Sequence, residues 1–140
     1  MWVVLDSNVF ISAVITPEGN AATVVRLWFE GAYDLVVSDR LLSELDRALH
    51  YRKLSRNISS EEAHELIALL KRSANVRDDP VQTTEPRCAD PGDEYLIALA
   101  EAAGAVIVSG DRHLLDLADE MPIYSPRAFL EFLALQPGES

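Results

Sequence analysis

Short runs of β-branched and aliphatic residues alternate along the chain with longer segments whose apolar positions recur every three to four residues. The first kind predicts strands at Trp2–Leu5, Tyr33–Val37, Ala105–Ser109 and Pro122–Tyr124. The second predicts helices at Asn8–Ile15, Ala21–Glu30, Asp39–Tyr51, Ser60–Ser73, Asp93–Ala103, Arg112–Ala118 and Arg127–Leu135. Such alternation is the pattern of an α/β domain with a mostly parallel central sheet, because parallel strands need the crossovers that helices supply. Residues Asp78–Asp90, broken by Pro80 and Pro86, read as a loop or a short irregular strand. The 140 residues suffice for one domain with its own core. That domain is expected over residues 1–135, with a disordered tail at 136–140.

Composition narrows the class. With 49% hydrophobic and 25% charged residues, the chain lies in the globular range, far from a disordered profile. The longest apolar stretch, Leu96–Val108, is interrupted by Glu101 and is too short to cross a bilayer. The opening MWVVLD lacks the basic region and long apolar run of a secretory signal, so no membrane association and a cytoplasmic location are expected. A single cysteine, Cys88, forms no internal disulfide and reads as a small, partly buried thiol. The net charge of -11 argues against a broadly cationic nucleic-acid surface, unless some acids are gathered to hold cations.

Four acids occupy positions that periodicity makes costly. Asp6 follows the run Trp2–Leu5 and Asp111 follows Ala105–Ser109, so both should emerge at the carboxyl edge of one sheet, where α/β folds bind ligands. Each is also placed to cap the next helix, and both readings stand open at this point. Glu44 lies three residues after Leu41 and four before Ala48, inside the apolar stripe of its helix. A carboxylate facing a core must be paired, neutralised or bound to a metal; the alternative to a metal is a partner such as Arg or Tyr from across the core. Asp93 falls three residues before Leu96 and four before Ile97, facing the sheet, although a first-turn acid is also favoured by the helix dipole. Asp90 reads as the cap of that helix, with Pro91 at its first position, while Glu94 and Glu101 fall off the stripe and read as solvated charge.

Convergence of four such acids would be self-repelling. Two carboxylates ~4 Å apart repel by about 4 kcal/mol at an effective dielectric near 20, so the cluster requires a cation. All-oxygen donors point to Mg²⁺ or Mn²⁺ rather than zinc. Divalent ions held this way promote phosphodiester hydrolysis by water, with no Ser, Cys or His nucleophile needed.

Together, Asp6-Ser7-Asn8, Glu44, Asp90-Pro91-Gly92-Asp93 and Ser109-Gly110-Asp111 followed by Leu114-Leu115 resemble the PIN domain. Pro126-Arg127-Ala128-Phe129-Leu130 is similar to the prokaryotic branch of VapC-like ribonucleases, the toxins of toxin–antitoxin pairs. The resemblance covers nearly the whole chain. It implies a three-layer α/β/α fold, Mg²⁺- or Mn²⁺-dependent endoribonuclease activity, and metal-binding and catalytic roles for Asp6, Glu44, Asp93 and Asp111. It further implies supporting roles for Asn8 and Ser109, an additional or alternative ligand in Asp90, an antitoxin partner and a homodimer. The family more often has Thr where Ser7 and Ser109 stand, a departure that preserves the hydroxyl.

Substrate contacts are sought among the cations. Arg47, His50, Arg52, Lys53 and Arg56 cluster at the end of the Glu44 helix, where Arg47, Arg52 and Lys53 could hold RNA phosphates or simply complement the helix carboxyl end. His113, beside Asp111, is given no catalytic role. Trp28 and Phe29 are either core or an exposed patch for a second copy or an antitoxin helix. A non-catalytic PIN-like module binding RNA or protein is the competing reading of the whole. Receiver-type and haloacid-dehalogenase-type pockets do not match, because each needs paired acids that Asp6-Ser7-Asn8 lacks.

Overall fold

The structure is a computed structural model that describes residues 1–80 and 93–136. In chain order its elements are β1 (Trp2–Leu5), α1 (Ser7–Ile15), α2 (Asn20–Phe29), β2 (Asp34–Ser38), α3 (Asp39–Leu49), a 3₁₀ turn at Arg52–Leu54, α4 (Ser60–Ser73), β3 (Asn75–Arg77), α5 (Glu94–Ala103), β4 (Val106–Val108), α6 (Arg112–Leu115), β5 (Ile123–Tyr124) and α7 (Pro126–Leu135). The expected Asp90 cap, Cys88 and tail residues 137–140 lie outside the described residues.

Five strands form one sheet in the order β3-β2-β1-β4-β5, and every pairing among the described residues is parallel. The sheet is thus wholly rather than mostly parallel here, in the three-layer α/β/α arrangement. β1 lies at its centre. Its apolar run suits that place, since a strand covered on both faces has no polar side to alternate with. Val3, Val4 and Leu5 are fully buried, and the large side chains of Phe10, Tyr95 and Phe129 fill the core around them.

From β1 the chain winds outward through β2 to β3, then returns to the opposite flank of β1 for β4 and β5. The strand order therefore reverses between β1 and β4, and a crevice at such a switch point is where open α/β sheets bind ligands. Leu5 lies opposite Val108, so the next residues, Asp6 and Ser109, leave the sheet side by side. α5 packs against β1, β2 and β4, and α3 packs against β2 and α1. α3 thereby brings Glu44 near enough to that region for its charge to act on Asp6.

Several elements depart from expectation. β3 falls at Asn75–Arg77, just before Asp78–Asp90, the segment expected to be a loop or a short irregular strand, of which residues 81–90 lie outside the described residues. It is an edge strand with one apolar residue, exposed Val76, so no alternation marked it. The helix expected through Ala118 ends at Leu115 and continues as turns. The Glu44 helix ends at Leu49 rather than Tyr51, so Arg47 lies in its last turn, His50 is its C-cap, and Arg52 and Lys53 fall in the 3₁₀ turn. At the end of α5, Gly104 adopts φ 65° and ψ 36°, a left-handed conformation that glycine takes without a Cβ clash. There Ala105 N–H donates to Ala100 O at 2.8 Å and Gly104 N–H to Glu101 O at 3.3 Å, closing the helix in a Schellman turn. Among the described residues no helix is long and apolar enough to cross a membrane.

Candidate active site

Asp6 is the most deeply placed of the four acids, only 3% exposed. Its backbone N–H donates to Val108 O at 3.0 Å, which fixes the carboxylate beside the end of β4. One oxygen, Oδ1, accepts from Asn8 N–H at 3.3 Å and, weakly, from the Ser7 hydroxyl at 3.4 Å, so Asp6 does cap α1. The other oxygen, Oδ2, accepts from Ser109 Oγ–H at 2.7 Å. Ser109 is itself fully buried, and its Oγ accepts from Asp111 N–H at 2.9 Å. A single serine thereby links the acid after β1 to the acid after β4.

Asp111 caps α6, its Oδ1 accepting from His113 N–H at 2.9 Å. His113 enters this geometry only through its backbone. Both acids after strands therefore do what the structural reading required of them, and capping alone does not separate that reading from a catalytic one.

Electrostatics goes further. Burial pushes the Asp6 carboxyl above its ordinary value of 3.8; the bonds from Ser109 and Asn8 pull it down, and the negative charges of Asp111 and Glu44 push it up again. Glu44 and Asp111, from two other elements, thus both act on Asp6.

Glu44 is half-buried on the second turn of α3, as its place in the apolar stripe implied. It has the kind of partner that the structural alternative called for: the Tyr95 hydroxyl donates to its Oε2 at 2.5 Å, across 51 residues of chain. Tyr95 is buried in α5, and the Arg40 guanidinium lies 4.3 Å from its ring centroid. Burial and the Glu44 carboxylate push the tyrosine pKa well above its usual range, so the phenol is a donor at neutral pH.

Asp93 stands at the start of α5, two residues before Tyr95, and its side chain does not cap the helix. Glu94 corrects an expectation, for it is 7% exposed rather than solvated. The first half of α5 is buried almost all round, from Glu94 through Ile97, so the assumption of one wet face fails there.

A groove of about 640 Å³ opens beside Glu44 between α1 and the end of α3, lined among others by Asn8, Ile11, Arg47, Tyr51 and Lys53. A smaller pocket of about 230 Å³ lies by Asp111 and is also lined by Asn8. Asn8 is exposed and borders both spaces. Two of the expected phosphate contacts, Arg47 and Lys53, line the groove, while the Arg52 side chain lies outside the described set. His50 is held locally instead, its Nδ1 2.8 Å from Asp46 O. Trp28 belongs to the core, whereas its neighbour Phe29 is 53% exposed.

The acidic oxygens have the chemistry of a hard divalent cation site, and the repulsion at Asp6 is of the kind a cation relieves. Among the described residues no three His, Cys, Asp or Glu side chains converge tightly enough to enclose an ion as they stand. The fit is therefore one of donor type and charge.

Comparison with known proteins agrees with this architecture. A PIN-domain family profile matches residues 2–113, from β1 to just beyond Asp111. An uncharacterized protein of Methanocaldococcus jannaschii is 30% identical over 139 residues, covering 92% of this chain and 89% of its own. A solved structure from Pyrobaculum aerophilum is similar with a TM-score of 0.62 at 22% identity, over 96% of this chain and 90% of that one. VapBC2 from Rickettsia felis, bound to a DNA fragment from its promoter, gives 0.59 at 16% identity over 89% and 98% of the two chains. FitAcB from Neisseria gonorrhoeae gives 0.56 at 16% over the same shares. At these identities the solved structures speak for the fold, and the profile, which spans most of the chain, shows the family: the chain belongs to the PIN-domain family.

Proposed function

We propose that the chain is a Mg²⁺- or Mn²⁺-dependent endoribonuclease of the VapC-like toxin kind, hydrolysing RNA phosphodiester bonds. The observation that carries this reading is Asp6: a nearly inaccessible carboxylate at the sheet's switch point, tied through Ser109 to the acid after β4 and pushed upward in pKa first by its burial and then by the charges of Asp111 and Glu44. In this reading Asp6, Glu44, Asp93 and Asp111 hold the ion. A divalent ion there supplies positive charge against the scissile phosphate and promotes attack by water. Ser109 fixes the orientation of Asp6, and Asn8 borders both the groove beside Glu44 and the pocket beside Asp111. Arg47 and Lys53 in the groove, with Arg52 in the neighbouring turn, hold flanking phosphates and offset the net charge of -11 locally.

The same proposal includes a cytoplasmic location, a homodimer and an antitoxin partner. The partner surface is supported by exposed Phe29 beside an apolar groove of about 280 Å³ that includes Phe10, Val14, Val25 and Leu66. The fold likeness to VapBC2 agrees with it.

The test is incubation of the purified protein with single-stranded and structured RNA in Mg²⁺, Mn²⁺ or EDTA. Cleavage is expected with either metal and not with EDTA or in Asp6→Asn; cleavage that survives both changes sinks the reading. A second reading, a PIN-like binding module without catalysis, is favoured by one observation: Asp6, Glu44 and Asp111 each already accept a hydrogen bond from the protein. Its signature is a melting temperature raised by Mn²⁺ with no RNA cut.

A further inference from the structure

The Tyr95–Glu44 bond joins two elements that periodicity treats as unrelated. Glu44 belongs to α3, which follows β2, while Tyr95 belongs to α5, which precedes β4. The phenol engages Oε2 alone. A glutamate otherwise free to swing about three side-chain torsions is thereby held by one oxygen, with Oε1 left for a further partner. The Tyr95 side chain is only 1% exposed, and Arg40 lies over its ring, so its hydroxyl has little water to compete for. Groups that hydrogen-bond a ligating carboxylate in this way set its orientation, and their loss usually weakens metal affinity 10- to 100-fold.

We infer that Tyr95 is a positioning residue that, by holding Oε2, orients the Glu44 carboxylate toward a divalent cation. The inference rests on the metal-dependent reading above and deepens it. A purely structural role for the same bond would satisfy a half-buried carboxylate and support folding, without changing how the site takes up a metal.

Mn²⁺ titration of the full chain, followed by electron paramagnetic resonance without RNA, separates the two roles. Tyr95→Phe keeps the ring under Arg40 and removes only the hydroxyl. It is expected to weaken Mn²⁺ binding by about tenfold or more, and to add no further loss on a Glu44→Gln background. Glu44→Asp, which keeps the charge but draws the carboxylate away from the phenol, should reproduce the loss and serves if Tyr95→Phe fails to fold. Wild-type affinity in either Tyr95→Phe or Glu44→Asp overturns the inference, as does an equal further loss when Tyr95→Phe is added to Glu44→Gln. If the folded wild type itself binds no Mn²⁺, the metal-dependent reading falls and the inference with it; if wild type and Tyr95→Phe bind alike, the inference alone falls.

Discussion

The two strands at the switch point, β1 and β4, end differently from their outer neighbours, β2 and β5. β2 leads into α3 through Ser38, whose Oγ accepts from Leu41 N–H, and β5 leads into α7 through Ser125, whose Oγ accepts from Ala128 N–H. β1 leads into α1 through Asp6, and β4 leads into α6 through Asp111. All four side chains perform the same capping task, and serine and aspartate perform it about equally well. Capping therefore explains a polar residue at each position but not the charge at two of them. The charged pair flanks the reversal of strand order and the serine pair stands one strand further out. The cation site proposed above would account for a charge at the switch-point strands that their outer neighbours do not carry.

The difference can be broken by substitution. The largest effect is expected from Asp6→Asn or Asp111→Asn, which keep a competent cap but remove a negative charge; RNA cleavage should fall at least about a hundredfold, on the scale of losing a direct electrostatic contributor. Near-normal rates in both would make the charges incidental. Next comes Ser109→Ala, which leaves Asp6 Oδ2 without its donor and Asp111 N–H without its acceptor; Mn²⁺ affinity measured by titration should drop about 10- to 100-fold. Ser125→Ala sharpens the contrast from the other side, lowering stability by about 1 kcal/mol in urea unfolding with no change in the cleavage rate. If it slowed cleavage as much as Asp111→Asn, the two kinds of cap would be equivalent after all.

The smallest effect is on stability and follows from the sign of the Asp6 shift. Its carboxyl is raised in the folded state, so the folded protein binds the proton more tightly than the unfolded chain does. Asp6 therefore costs stability as pH rises above 3.8 and through its higher folded value. In EDTA, Asp6→Asn should melt a few degrees above the wild type at pH 7, and the gain should shrink as pH falls toward 3.8, by differential scanning calorimetry. A variant that is more stable and less active is what a site under electrostatic strain produces.

How much of this was legible depended on distance along the chain. β1, β2 and β4 were readable within a residue or so because interior parallel strands are continuous apolar runs, and the runs of β1 and β4 located Asp6 and Asp111 at their ends; the edge strand β5 was readable from Ile123-Tyr124. β3 was not, since an edge strand needs no apolar alternation. Glu44 stood out because it interrupts a stripe, and that pattern also said that it must find a partner. Nothing local named Tyr95, whose helix meets α3 only through folding. Glu94 was misjudged for the complementary reason: periodicity assumes one wet face, and α5 enters the domain with scarcely any.

Gly104 gives the site a mechanical property. Its single left-handed residue joins the helix that bears Asp93 and Tyr95 to the strand that leads to Ser109, with no slack loop between them. A methyl group there would meet nothing within 4 Å, so alanine would disturb only the backbone, by about 1–2 kcal/mol. Helix and strand should consequently breathe as one body, and the amide hydrogens of Ile97 and Ile107 should exchange with closely matched lifetimes.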